Sequence, residues 1–364
     1  MHVLMISARG DYGGGPEHLY QLVKGLIANA SIRVSVAIPK DKPYWQRFQQ
    51  LQKVTLIDIP HRQFQCAAIK RIKRFIRQEQ VNIVHTHGKG AGAYGFVLSW
   101  LVRRQFVHTP HGIHIEHYGL FRRWVYRYYE NQFSRRLAYV IHVSYGEQKL
   151  AKQALLWRYA AACRVILNGV AKPVKIKQDV QEKNHDVIMI SRFDVAKNMQ
   201  EAFAIAKALP DINFLWLGDG PDREMLMKQA EQQRLSNIEC KGFIDNAAAY
   251  LQQAKIYLST SRWEGLPLSL LEAFACGLPA VVSDVVGNND VVERGKTGCC
   301  YPLGQVKQAA AAIKHLLQDA TVYQEMSQAA YQSYLDHYTV EQMCQGTVAL
   351  YDDLAYGEGT KNDT

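Results

Sequence analysis

At 364 residues with 48% hydrophobic and 21% charged side chains, the chain is globular and too long for most single cores. Seven cysteines, an odd number with no Cys-x-x-Cys pair, exclude a disulfide framework and a Cys-based zinc module. Net charge is +10, but residues 1–172 carry 26 Lys and Arg against 8 Asp and Glu while the rest carry 17 against 25, so the first half is expected to face something anionic.

The opening MHVLMIS is a short apolar run stopped by Ala8-Arg9-Gly10, without the charged start and long apolar stretch of a secretory signal. The longest apolar stretch, near Ala91–Val102, is too short to span a bilayer. A cytoplasmic protein is expected.

In chain order, HVLMIS predicts a strand, a Gly-rich turn follows, and EHLYQLVKGLIAN has helical spacing of apolar residues. RVSVAI and VTLIDI are strands, IKRIKRFIRQEQ a helix, and NIVHTH, FVHTPHG, AYVIHVS and CRVILNGV supply further strands. The polar segment 171–184, with Pro173, reads as a linker. The pattern then restarts with DVIMISRF, NFLWLGDG, IECKGF, KIYLSTS and AVVSD, with helices near 198–208 and 221–234 between them. Alternating strands and helices imply α/β domains with parallel sheets, one over 1–172 and one over 173–335, facing across a cleft. Residues 336–364 are expected to form a helix returning to the first domain, ending in a disordered GEGTKNDT tail. Chemistry is sought in the loops beyond the strands' carboxyl ends.

Residues 261–284 read SRWEGLPLSLLEAFACGLPAVVSD. Glu264 falls in the loop after a strand, Pro267 suits the first turn of a helix of about ten residues, and Gly277 with Pro279 suits its stop. The N–H groups near Leu268, Ser269 and Leu270 and the helix dipole would form an anion site. Glu272 lies ~7.5 Å deeper along the axis, where it could hold a ribose while Glu264 meets a sugar.

This segment, with Glu264, Gly265, Leu266, Pro267, Glu272, Ala273, Gly277 and Pro279, resembles the signature of glycosyltransferase family 4. The resemblance implies the GT-B fold, two Rossmann-like parallel-sheet domains, and retaining transfer from a nucleotide diphosphate sugar. It implies that Arg192 and Lys197 clamp the donor diphosphate. Gly218-Asp219-Gly220-Pro221 resembles the family's Gly-x-Gly-Pro turn, and Phe243 and Ile244 resemble the segment that reads the base. Gly14-Gly15-Pro16-Glu17 is similar to the family's Gly-Gly-x-Glu and is not a dinucleotide fingerprint. His111 aligns with a family histidine between acceptor and donor sugar, with His108 and His114 at the same strand end. His85 and His87 could line the acceptor pocket. A zinc site among these histidines lacks an acidic or cysteine partner pattern, and no Asp-x-Asp occurs, so no metal or other cofactor is expected. The resemblance implies UDP, the family's most frequent nucleotide, as the carrier of the donor sugar. Two departures are Ala171 in place of an acid after Asn-Gly-Val, and Gly287-Asn288-Asn289-Asp290 in place of a Gly-Gly pair ending in Glu.

Lys70, Arg71, Lys73 and Arg74 in one helix, and Arg122 and Arg123 among Trp124, Tyr126, Tyr128 and Tyr129, suit an anionic membrane surface. The expected function is transfer of a hexose or N-acetylhexosamine to a lipid-linked or polysaccharide acceptor at the inner membrane face, by front-face displacement. Two alternatives stay open: a nucleotide-sugar epimerase of the same fold, and nucleic-acid binding by the basic half, which leaves the acidic second half unexplained.

Overall fold

The computed structural model describes residues 1–113, 115, 118–173 and 184–356; His114, most of the linker and the 357–364 tail lie outside the described residues. The chain divides into two compact units, residues 1–169 with the segment from Val340 onward, and residues 170–339. The first boundary thus falls three residues before the expected position, and the second falls at 339 rather than 335.

The first unit holds a wholly parallel seven-stranded sheet in the order β3-β2-β1-β4-β5-β6-β7. Its strands are β1 His2–Ser7, β2 Arg33–Ile38, β3 Val54–Asp58, β4 Ile83–His87, β5 Gln105–Thr109, β6 Tyr139–His142 and β7 Ala162–Val165. Helices cover both faces, so central strands bury every residue rather than alternating, as β1 does from His2 to Ser7. The helix Val340–Tyr356 packs on the helix Gly14–Leu26 so tightly that a Cβ on Gly25 would lie 2.3 Å from Cys344 Sγ.

The second unit is parallel too, in the order β10-β9-β8-β11-β12-β13. It comprises β8 His185–Ile190, β9 Phe214–Leu217, β10 Ile238–Gly242, β11 Ala254–Ser259, β12 Ala280–Ser283 and β13 Gly298–Tyr301. Cys299 and Cys300 are half-buried in the edge strand β13. Each sheet has one point where the winding reverses, between β1 and β4 and between β8 and β11. The connections from those neighbours run to opposite faces of the sheet, which leaves a crevice for a ligand beyond the strands' carboxyl ends.

Candidate active site

In the second unit, the loops after β8 and β11 are stitched together at the switch point. The Arg262 N–H donates to the Ala196 carbonyl at 2.8 Å, Thr260 Oγ1 donates to the Lys197 carbonyl at 2.9 Å, and Arg262 Nη2 donates to Asn198 Oδ1 at 2.9 Å. Asn198 adopts a left-handed backbone, φ 53°, to turn the chain into the helix Met199–Lys207. This lattice carries Lys197 Nζ to Glu264 Oε1 at 2.5 Å, with the two side chains 20% and 11% exposed. Ser261 Oγ donates to the same oxygen at 2.6 Å, while Oε2 bonds no described residue. Arg192 does not share this contact: half-exposed, it pairs with Asp194 at 3.0 Å. The two expected cations therefore each hold a carboxylate partner.

The helix after Glu264 is Leu268–Ala275, eight residues rather than about ten, and Pro267 is its N-cap instead of its first residue. With Pro267 extended at ψ 113°, its carbonyl accepts the Leu270 N–H at 3.1 Å. Leu270 is thus removed from the expected anion site, and the N–H groups of Leu268 and Ser269 are the ones with no bond to a described residue. The side chains of Leu268 and Leu270 are buried, and Ser269 Oγ is held by Tyr257 Oη at 2.7 Å. At the far end Gly277, φ +70°, lets Leu278 N–H reach the Ala273 carbonyl and closes the helix. Glu272 is half-buried within it.

Glycine is required at two turns, each pressed on one of these loops. A Cβ on Gly218 would lie 1.8 Å from the Ser191 carbonyl and one on Gly220 2.4 Å from the Phe193 carbonyl, so the Gly-Asp-Gly turn lies flat on the loop carrying Arg192. Gly287, φ +88°, presses against the Glu264 loop, and a Cβ there would sit 2.7 Å from both Glu264 Cβ and the Gly265 carbonyl. Behind it Asn288 Nδ2 donates to the Ser283 carbonyl, and Ser283 Oγ donates to the Ser261 carbonyl at 2.6 Å. Phe243, 42% exposed, and Ile244, half-buried, follow Gly242 at the end of β10.

In the first unit, His87 ends β4 at the switch point and His111 follows β5 with a left-handed backbone, φ 58°. Glu147, 1% exposed, fixes that bend by accepting the Gly112 N–H and, at 2.8 Å, the Val143 N–H. His18, from the helix Gly14–Leu26, completes the group: its ring centroid lies 4.5 Å from that of His111 and 5.7 Å from that of His87. His87 Nδ1 is 3.2 Å from His111 Nε2. Burial pulls the His18 pKa down to about 4, and burial, followed by the neighbouring imidazoles, holds His85, His87 and His111 well below the usual range. These are neutral imidazoles near pH 7.

Several expected positions fall elsewhere. His85 does not line an acceptor pocket: it is 1% exposed, with Nδ1 bonded to Tyr351 Oη and Nε2 to Thr109 Oγ1. His108 is also buried within β5, bonded to Thr86. Gly14 and Gly15 are not in the turn but are the first residues of the helix, and Gly13 is its N-cap. Lys70 and Arg74 are exposed and Lys73 is half-buried, while Arg71 donates to the Asp58 carbonyl. Arg122 is exposed, whereas Arg123 is half-buried and bonds the Ile115 carbonyl.

Residues 13–169 match the family described as a glycosyl transferase 4-like domain, and residues 172–333 match glycosyl transferases group 1. The chain belongs to the GT-B glycosyltransferases of the family 4 type. The poly(glycerol-phosphate) alpha-glucosyltransferase of Bacillus subtilis is 27% identical over 226 residues, 60% of this chain and 34% of that protein. A UDP-Gal:alpha-D-GlcNAc-diphosphoundecaprenol alpha-1,3-galactosyltransferase of Escherichia coli is 27% identical over 271 residues, 68% of this chain and 69% of that one. The chain thus spans about a third of the length of the first relative (34%). The crystal structure of Anabaena HepE with UDP and glucose superposes with a TM-score of 0.83 at 19% identity, over 97% of this chain and 100% of that one, which shows the fold.

Within this family 4 chain, the residues missed in the sequence are the supports. Thr260, Ser261, Asn198, Ser283, Asn288 and Glu147 have ordinary neighbours along the chain, and their partners are mostly distant. A signal did exist for Glu147, because Ser144-x-x-Glu147 is a capping pattern, and Ser144 Oγ does accept the Glu147 N–H. His18 could have been found from its place one residue after the Gly-Gly-Pro-Glu run.

Proposed function

We propose that this chain transfers a hexose or N-acetylhexosamine from a UDP-linked donor, with retention and without a metal, to a lipid-linked or polysaccharide acceptor at an anionic membrane face. The observation that carries the donor half is the junction of Lys197, Glu264 and the free N–H groups of Leu268 and Ser269 at the second unit's switch point. A pyrophosphate there gains the helix dipole, two amide donors and an ammonium. Charge that builds on the departing phosphate is stabilised by those same groups. Glu264 Oε2 takes a sugar hydroxyl and Glu272 takes the ribose. The proton of the attacking hydroxyl passes to the leaving phosphate, so the side chains orient the reactants rather than form a covalent intermediate. His111 orients the acceptor hydroxyl or donor sugar as a neutral imidazole. HepE's bound UDP and glucose support the donor class, and the E. coli relative's name supports a diphosphate-lipid acceptor.

The membrane half rests on the helix Leu120–Ser134. Phe121, Trp124 and Tyr128 are 76%, 56% and 57% exposed and stack in a row, with Arg122 and Arg127 alongside. The helix Cys66–Gln78 adds a basic groove lined by Lys70, Lys73, Arg74 and Arg77. Among the described residues no helix is long and apolar enough to cross a membrane, so binding would be peripheral. The test is calorimetric titration with UDP, GDP, ADP and their sugars, followed by product analysis with and without a lipid-linked acceptor. Selective UDP binding and acceptor-dependent transfer with retained anomeric configuration are expected. Turnover of donor alone would favour an epimerase instead.

A further inference from the structure

The histidines of the first unit outnumber what orientation of a sugar requires, and folding brings to them one that the sequence left apart. His18, His87 and His111 each present one ring nitrogen within 4.8 Å of a nitrogen on the other two. The His87–His111 pair is already at 3.2 Å, close to the N···N edge of about 3.3 Å in a tetrahedral site with metal–nitrogen bonds of about 2.0–2.1 Å. Small ring rotations would bring His18 into the same shell. His87 is 5% exposed, so the Nδ1 that faces His111 is shielded from water.

The three rings come from separate elements: a helix, a strand end and a loop pinned by buried Glu147. Their relative placement is therefore fixed by the fold rather than by a flexible segment. His18 and His87 are buried and His111 is half-buried, so the solvent access the cluster has is at His111. Three imidazoles on rigid supports with one accessible direction are the ligand set of a zinc-class ion with an open fourth position.

We infer that His18, His87 and His111 form a binding site for a zinc-class dication, and that occupancy withdraws His111 from the transfer reaction. The site is inhibitory rather than a source of catalytic power. The withdrawal of His111 from transfer rests on the function proposed above, whereas the site itself does not.

The test uses full-length, tag-free enzyme stripped with a chelator. Zn2+ is titrated by calorimetry and Co2+ by visible absorption, with no sugar substrate present. A saturable His18-dependent site is expected, with the intense d–d bands of four-coordinate cobalt, weakened at least tenfold in His18→Gln and unchanged in His337→Gln. Equal affinity in wild type and His18→Gln, or no saturable binding, would overturn it. Should His18→Gln fail to fold, X-ray absorption of the zinc-loaded wild type decides: three imidazoles at about 2.0 Å support the site, and fewer refute it. Zinc should also lower transfer reversibly, with a chelator restoring it. If metal binds through the three rings yet transfer is unaffected, the inhibitory role is wrong and the site stands. If metal does not bind, the site is wrong whatever the enzyme transfers.

Discussion

Lys197 Nζ donates to Glu264 Oε1 across 67 positions of sequence, with both side chains largely shielded from water. The pair holds the ammonium in place before any substrate arrives and leaves the other carboxylate oxygen open. Replacing Lys197 by Met should weaken UDP-sugar binding at least tenfold, about 1.4 kcal/mol, and lower the melting temperature because a shielded carboxylate loses its partner. Titration calorimetry and a thermal melt check both effects. Unchanged affinity would remove Lys197 from the phosphate site.

Glu264→Gln keeps the Ser261 bond and the loop but loses the charge. It should abolish most turnover with a melting temperature near that of wild type. Near-normal kcat in the purified variant would take Glu264 out of the mechanism.

Gly287→Ala forces a methyl group into the Glu264–Gly265 backbone at a left-handed position. A cost of about 1–3 kcal/mol is expected, together with a fall in turnover, because the displaced segment carries Glu264. Chemical denaturation and a transfer assay check it. A variant of wild-type stability would show that the loop can move aside.

Buried neutral histidines make the first unit sensitive to acid. With the His18 pKa at about 4 in the fold and about 6.5 when unfolded, the unfolded chain binds more protons between those values, so stability falls as pH drops through that window. The full effect of this residue is about 3 kcal/mol, and His85, His87, His108 and His111 act in the same direction. Melting temperatures measured from pH 7.5 to 4.5 should fall steadily, and a His18→Phe variant should show a shallower fall. A flat profile would contradict the burial of these rings.

Phe121→Glu with Trp124→Glu should remove binding to anionic vesicles while leaving the melt unchanged, since both side chains face solvent. Vesicle sedimentation at low and high salt reads this. Undiminished binding would move the contact to another face.

The sequence made the helix after Glu264 and the two parallel domains legible because strand and helix periods, Pro267 and the Gly277 stop are local signals. It could not reveal that Leu270's amide is taken, since that depends on the backbone angles at Pro267. Nor could it phase the aromatic helix. Tyr126 and Tyr129 turn inward while Phe121 and Trp124 turn out, and that choice is set by Lys89 and Phe96 of the helix Gly88–Leu101, which meet the two tyrosine rings. His85 looked like a pocket residue because its partner Tyr351 lies 266 positions away. Gly287 read as a departure from the family pattern, and its reason, the Glu264 loop, became visible only in three dimensions.

The most direct measurement is a crystal structure of the enzyme with an intact UDP-sugar. The donor pyrophosphate should lie within about 3 Å of the Leu268 and Ser269 N–H groups, with Lys197 beside it and a sugar hydroxyl on Glu264. A pyrophosphate bound away from the first turn of Leu268–Ala275 would contradict the proposed site.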